Sequence, residues 1–265
     1  MTTGAPAHRK GYNTDLTDAQ WARIADRVPA PKPGPNPAQY ERREIVNAIL
    51  YRARSGCAWR LLPSDFPPWK IVSHYFYAWR DDGTWQRIHD HLRVEVRKAE
   101  GREGEPSLGM VDSQSVKTIS VGGPHGFDAG KKVKGRKRHI VVDILGLLVA
   151  VFVTSAAVQD RDGFGEALTR ACLQSRRLEK VLVDSAYNGD AVDQASVSTG
   201  IAVEVVKRSD VAKGFVPLPK RWVVERSFGW LNHWRLLSKE YTRDVGSSEA
   251  WIHVAFTAIM LRRVA

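Results

Sequence analysis

The sequence predicts an α+β or α/β protein in which a small all-helical domain, residues 1–100, precedes a mixed-sheet domain, residues 101–265. Apolar residues recur at helical spacing through the first hundred positions, whereas the later segments contain short β-branched apolar runs. The segment GREGEP, residues 101–106, interrupts the helical pattern and marks the predicted boundary between the two domains.

Helical signals follow one another through the first domain. After a loose tail, Thr17 is expected to cap a short helix in LTDAQWARI, and the proline run at 29–37 ends it. Further helices are expected over residues 40–54, over 69–80 and from Thr84 onward. Such a set is compatible with a DNA-binding helix-turn-helix module and equally with a plain helical bundle.

The helix expected at residues 69–80 carries polar positions on its outward face. Lys70 and Arg80 are candidate DNA contacts there, because cationic side chains suit phosphate oxygens. An ordinary solvated helix face is the competing interpretation.

The second domain begins with three strand-like runs. These are LGMVDSQSV, RHIVVDILG and LLVAVFVTS; the later runs KVLVDSA and IAVEVV alternate with helical patterns near 163–176 and 190–198, and another helix follows. An antiparallel meander that continues into βα units is the RNase H-like order, so we expect that fold.

The charge balance favours an anionic partner. Lysine and arginine total 40 against 29 acidic residues, giving a net charge of +11 and a pI near 9.8. A merely basic protein would share this balance. The first residues lack an apolar core and the two cysteines form no cluster, so we expect neither secretion nor membrane insertion but a cytoplasmic, nucleoid-associated protein.

Three carboxylates are the candidate catalytic residues. Asp112 interrupts an apolar strand, and Asp184 ends another directly before a small-residue turn. Glu225 lies on an otherwise apolar helix that is expected to pack on the sheet, although a glutamate beside an arginine at helical spacing is usually a surface ion pair. A packed helix would bring Glu225 towards both aspartates.

A cluster of three carboxylates implies metal. Mutual repulsion would raise at least one pKa unless divalent cations neutralise the charge, and oxygen ligands suit Mg²⁺ or Mn²⁺. Asp112, Asp184 and Glu225 are therefore the predicted metal ligands, with two ions per site expected for in-line displacement at phosphorus.

Taken together, several stretches make the sequence resemble the DDE transposases of the insertion-sequence class, particularly family five within the larger group four. The stretches are LTDAQWARI, REIVNAILYRARSGCAWRLLP to WRDDGTWQRI, VDSQSVKT, GKKVKGRKRHIVVD, LVDSAYNG and RWVVERSFGWLNHWRLLSKEY. The resemblance implies an RNase H-like catalytic domain, divalent metal, and DNA cleavage and strand transfer at terminal inverted repeats. By position, Asp112, Asp184 and Glu225 fill the triad.

The signature of the larger group around its glutamate is matched in part. Arg221 and Glu225 fill the arginine and glutamate positions, whereas Leu218 and Asn232 replace the tyrosine and the lysine. Arg221 is the expected clamp on a DNA phosphate, because a guanidinium forms bidentate phosphate contacts. Its alternative role is that of a helix-surface partner for Glu225.

A dense basic run precedes the second strand of the sheet domain. Its cations are expected to bind DNA phosphates, with a solvated loop as the alternative; they are Lys131, Lys132, Lys134, Arg136, Lys137 and Arg138. Strand alternation is expected to turn His139 and Asp143 away from the triad. Asp160 and Asp162 are more easily explained as helix caps than as ligands.

Two alternative functions use the same features. An RNase H-like nuclease would hydrolyse DNA with the same carboxylates but would not join ends, and a DNA-binding regulator would use the helical domain with an inert triad. Synapsis of two DNA ends suggests a homodimer, by analogy with the family.

Overall fold

The computed structural model describes residues 9, 11–30, 40–120, 122–206 and 222–265. Its first part is helical, as predicted. Thr17 forms a complete capping box with Gln20, so the predicted cap is confirmed. The helices are α1 (Asp18–Ile24), α2 (Arg42–Ser55), α3 (Trp69–Asp81) and α4 (Thr84–Ala99).

Helices α3 and α4 are joined by a tight turn through Asp82 and Gly83. Residues Trp85, Ile88 and Leu92 of α4 are buried, and so are its arginines Arg93 and Arg97. Helix α4 is therefore a core element, and α3 is the helix that keeps an exposed polar side.

The second part contains a six-stranded mixed sheet. Its strands are β1 (Leu108–Lys117), β2 (Gly126–Asp128), β3 (Val133–Asp143), β4 (Leu148–Ser155), β5 (Lys180–Val183) and β6 (Ala202–Val205). Strand β3 pairs antiparallel with β1 on one side and with β2 and β4 on the other, while β5 is parallel to both β1 and β6. This is the predicted RNase H-like order, with the short β2 as an addition.

Helices cover both faces of the sheet. They are α5 (Asp160–Gln174), α6 (Asp190–Thr199), α7 (Trp222–Asn232) and α8 (Val245–Val264). Val111, Val141 and Val181 pack with α5 and α6 on what we call the α5 face. Met110, Ile140 and Leu182 point to the opposite side, the carboxylate face, and share a core with α7, α8 and the amino-terminal helices.

Helix α8 is the central element of that larger core. It contacts α1, α2, α3, α4, α7 and β4, and most of its residues are buried around its whole circumference. One core cluster therefore joins the helices of the first hundred residues to the carboxylate face. The helical part therefore shares its core with the sheet, and the division at residue 100 stays a prediction. No helix in the described ranges is long and apolar enough to cross a membrane.

Candidate active site and basic surfaces

Asp112 and Asp184 lie on two neighbouring inner strands of the sheet. Asp112 is within β1, and Asp184 directly follows β5. Met110 of β1 pairs with Leu182 of β5, and each aspartate follows its strand's paired residue by two positions. Because neighbouring strands are about 4.8 Å apart and side chains alternate with a period of two, both carboxylates leave the same side of the sheet. Asp112 Oδ1 accepts a hydrogen bond of 2.7 Å from the Ser113 amide, and Asp184 Oδ1 one of 2.9 Å from the Ala186 amide.

The side that carries both aspartates is the carboxylate face. Asp112 pairs with Ile140, a residue of the larger core, so its side chain shares that orientation. Helix α7 packs against β1 and β3 on this face through Val224, Phe228 and Leu231. The helix that carries Glu225 therefore lies over the strand that carries Asp112.

Glu225 occupies the first turn of α7 and is exposed. Two contacts fix the helix to the turn after β3: Arg226 Nη2 donates to the Leu145 carbonyl at 2.9 Å, and Ser227 Oγ to the Gly146 carbonyl at 2.8 Å. Within the part of the chain that the structure describes, no three His, Cys, Asp or Glu side chains are close enough to hold a metal ion. The fold thus puts the two aspartates on neighbouring strands and the helix of Glu225 over the strand of Asp112, without closing a three-carboxylate cluster among the described residues.

Tyr187 is a component of this site that the sequence analysis missed. Its side chain is buried under α5, in the turn that follows Asp184. Burial raises the pKa of Tyr187 well above its usual value, and the carboxylates of Asp112, Asp160 and Asp184 raise it further. The phenol therefore lies within electrostatic range of three carboxylates. The motif LVDSAYNG contained the signal, since the tyrosine follows Asp184 by three residues in a tight turn.

Asp160 is also nearer to this site than its predicted capping role implied. Gln159 is the residue before α5 and no side-chain cap bond is present, so the capping prediction for Asp160 and Asp162 was wrong. Asp160 instead forms ion pairs with Lys137 at 2.7 Å and Lys131 at 3.4 Å. Lys131 Nζ also donates to the carbonyl and hydroxyl oxygens of Ser113, the residue beside Asp112.

The basic run does not form one solvent-facing cluster, and this corrects the expectation from its composition. Arg136, Lys137 and Arg138 lie inside β3 and are at most 4% exposed. Arg138 binds Glu240 through Nε at 2.9 Å, and Lys137 Nζ lies 3.2 Å from Asp128. These three cations are not available to DNA phosphates, because strand pairing buries them and buried carboxylates neutralise them.

Lys131, Lys132 and Lys134 remain exposed, so the expectation of phosphate contacts survives for this part of the run. Lys132 adopts a positive φ of 52° at the turn before β3. On α3, Lys70 is exposed, whereas Arg80 is held by Asp81 at 2.6 Å and Asp244 at 3.0 Å. Arg221 lies outside the described residues.

The residues set aside during sequence analysis have structural roles. His139 points to the α5 face, where a Cβ added at Gly163 would lie 2.3 Å from its ring, and burial lowers the pKa of His139 to about 4. Asp143 is fully buried, pairs with Arg97, and accepts hydrogen bonds from the Leu145 and Leu147 amides. As predicted, His139 is turned away from the triad.

Two family models match the chain. One described as "Putative transposase of IS4/5 family" matches residues 16–89, and one described as "Transposase DDE domain" matches residues 103–261. The chain is also similar to the insertion element IS402 uncharacterized 16.2 kDa protein of Burkholderia cepacia. The two are 27% identical over 113 residues, which cover 40% of this chain and 76% of that protein.

A second curated relative is the uncharacterized protein y4sN of Sinorhizobium fredii (strain NBRC 101917 / NGR234). It is 33% identical over 85 residues, covering 32% of this chain and 66% of that protein. Among solved structures, the Mos1 mariner paired end complex with Mn aligns with a TM-score of 0.33 and 11% identity, over 92% of this chain and 82% of that one. The Mos1 transposase paired-end complex with left transposon end aligns with a TM-score of 0.26 and 13% identity, over 66% and 61%.

Proposed function

The chain belongs to the transposase DDE domain family, which matches residues 103–261, and on this premise we propose that it cuts and rejoins insertion-element DNA with Asp112, Asp184 and Glu225. Transposases of this family are DNA-cleaving and strand-transfer enzymes that use divalent metal. The proposal concerns which residues hold the metal, how many ions bind, and which DNA the protein cuts.

The observation that carries the proposal is the neighbouring position of Asp112 and Asp184, each two residues beyond the paired Met110 and Leu182. The parallel register of β1 and β5 places Asp112, within β1, beside the position of Asp184, just after β5, and both residues are partly exposed. Such a pair repels itself unless a cation neutralises it. Helix α7 adds a third carboxylate, that of Glu225, from above the same face.

The donor set fits a hard divalent cation. Carboxylate oxygens are the ligands that Mg²⁺ and Mn²⁺ prefer, and the described residues near the pair include no cysteine thiolate that would favour a softer metal. Asp112 and Asp184 would hold the metal jointly, and Glu225 would complete the set when its exposed side chain turns towards them. Two ions, when bound, activate the attacking oxygen and stabilise the leaving oxygen of an in-line displacement.

The remaining residues of the site orient the carboxylates and bind DNA. The Ser113 and Ala186 amides fix one oxygen of Asp112 and one of Asp184. The exposed Lys131, Lys132 and Lys134 bind phosphates of the strand being cut, with Lys70 of α3 as a further contact. Arg221 clamps a phosphate next to Glu225, and two chains act together to hold two element ends.

The test is cleavage and joining of linear DNA that carries the element's own ends, with Mg²⁺ or Mn²⁺. The protein is compared with Asp184→Asn and Glu225→Gln, and with Asp190→Asn, an exposed aspartate in the first turn of α6, as the matched control. We expect the first two variants to bind DNA but neither cut nor join it, and the control to keep both activities.

Other outcomes of this experiment would indicate a different function or contradict the proposed triad. Cutting without joining by the unaltered chain indicates a nuclease, and tight binding without cutting indicates a DNA-binding regulator. Full cleavage by Asp184→Asn at physiological magnesium contradicts the proposed triad.

A further inference from the structure

A groove of about 680 Å³ lies beyond the ends of β1 and β3, over the edge strand β2. Its volume lies in the range of ligand-binding clefts, roughly 300–1,000 Å³. The residues that give it its chemical character are Lys117, Ile119, His125, Phe127, Lys132 and Lys134. Lys132 and Lys134 are also the proposed phosphate contacts, whereas Lys117, Ile119, His125 and Phe127 have no role in the carboxylate site.

The groove is positively charged. Lys117, Lys132 and Lys134 are exposed, and none of the three takes part in the salt bridges found among the described residues. The described lining also includes no aspartate or glutamate. Three uncompensated ammonium groups around one concavity attract a polyanion, and the ligand chemistry they favour is phosphate.

Phe127 adds an aromatic surface to this positive groove. Its side chain is 55% exposed although it lies within a strand, and it pairs across the sheet with Lys134. A flat partner that covers this ring would remove apolar surface from water and gain the free energy of burial. Nucleobases are flat and stack on aromatic rings, but they expose their faces only when unpaired.

The groove is on the same side of the sheet as the catalytic carboxylates. Lys134 continues the alternation of β3 through Arg136 and Arg138 to Ile140, which pairs with Asp112. The six steps from Lys134 to Ile140 correspond to about 20 Å along the strand. Between these positions Arg136 and Arg138 are covered by the chain around Leu237, Glu240 and Arg243, so the groove and the carboxylates lie on either side of a covered stretch.

We propose that this groove binds an unpaired nucleotide of the DNA that the protein cuts, about 20 Å from Asp112. Phe127 stacks on the base, and Lys117, Lys132 and Lys134 bind the flanking phosphates. The inference rests on the proposed function for the identity of the strand. The groove thereby selects DNA with a single-stranded or opened segment at about this distance from the reacting phosphate.

The experiment measures binding separately from catalysis. The full chain is titrated, without divalent metal, with a fluorescent blunt duplex and with the same duplex bearing a single-stranded tail of about eight mixed nucleotides, within the site sizes of single-strand binders. The variant is Phe127→Ala, with Phe127→Trp as the conservative replacement. Leu173→Ala, which removes an even more exposed apolar side chain (75%) from α5, is the matched control.

We expect the protein to prefer the tailed duplex and Phe127→Ala to lose about five- to a hundred-fold of that affinity, the loss associated with one stacked base. Phe127→Trp and Leu173→Ala should keep the preference, and binding of blunt duplex should change little. Equal affinity of the protein and Phe127→Ala for the tailed duplex overturns the proposal.

A second overturning result is a Phe127-dependent dimer. If light scattering shows association that Phe127→Ala abolishes without changing affinity for the tailed duplex, the groove contacts a second copy of the chain instead. Because binding is measured without metal, a failed cleavage assay leaves this test intact, and a failed binding test leaves the triad intact.

Discussion

The run from Lys131 to Arg138 consists of two parts that have similar composition and opposite surroundings. Lys131, Lys132 and Lys134 are exposed, whereas Arg136, Lys137 and Arg138 are buried in the middle of the sheet. Gly135 separates the two parts, at the point where β3 begins to pair with β1. Cations of the same kind are thus exposed before this glycine and buried in ion pairs after it. Among the exposed three, Lys131 has an ion-pair partner, Asp160.

Local charge density therefore does not determine whether a cation is exposed. The buried arginines are tolerated because residues distant in the sequence supply their hydrogen-bond and ion-pair partners. Glu240 binds Arg138, and the Arg243 and Leu237 carbonyls accept from Arg136 and Arg138 respectively. These contacts fix the segment that leads into α8 onto β3. Three predictions test this division between a structural half and a DNA-facing half.

The largest effect is expected from removing the carboxylate of the buried half. Glu240 is 3% exposed, so Glu240→Gln leaves Arg138 and Arg136 buried without a compensating charge. We expect the free energy of unfolding to fall by about 3–5 kcal/mol, measured by urea denaturation. Glu204→Gln, which breaks the exposed pair with Lys180, should cost less than about 1 kcal/mol. Similar losses in both variants would contradict the division.

A smaller effect is expected from acid. Burial alone would raise the pKa of Asp128, but Ser115, the Lys131 amide and Lys137 lower it from 3.8 to about 2. A carboxyl with a depressed folded-state pKa stabilises the protein above the unfolded pKa, and this contribution disappears as the pH falls through the folded one. It amounts to about 2 kcal/mol.

The measurement is urea denaturation from pH 5 to pH 2 for the protein and Asp128→Asn. The variant should be less stable at pH 5, and the difference should shrink between pH 4 and pH 2. If the difference in unfolding free energy between the two proteins stays constant over this range, the charge of Asp128 does not stabilise the folded protein.

The smallest effect on stability is expected in the exposed half. Lys132→Gln combined with Lys134→Gln should change the free energy of unfolding by less than about 0.5 kcal/mol, as exposed substitutions usually do. DNA binding should respond instead: the slope of log affinity against log salt should fall by about 1.8, for two lost phosphate contacts. Anisotropy titrations at several salt concentrations measure this slope.

The control for this pair is Lys98→Gln with Lys180→Gln, two exposed lysines on α4 and β5. An equal drop in slope for the control pair would show that the exposed half of the run has no special role in DNA binding.

Local sequence patterns predicted most of the fold. The strands β1, β4, β5 and β6 and the helices α2 and α3 lie within a few residues of the expected ranges, because apolar periodicity and turn residues act locally. Strand β3 was expected only from Arg138 but begins at Val133, because pairing with β1 and β2 extends into the basic run. Strand β2 was missed, since its three residues carry no alternation. Helix α8 was missed for a different reason: it is buried on all sides, so its sequence lacks the amphipathic pattern that reveals a surface helix.

The fold class, the family and the three candidate carboxylates follow from strand alternation, turn residues and motif spacing, which are properties of neighbouring positions. The exposure of each charge, the electrostatic proximity of Tyr187 to Asp112, Asp160 and Asp184, and the position of Phe127 in a basic groove follow only from the folded chain. Those facts depend on register between strands and on partners such as Glu240, which lies 102 residues along the chain from Arg138. Burial and charge pairing are set by contacts distant in sequence, and no local pattern encodes them.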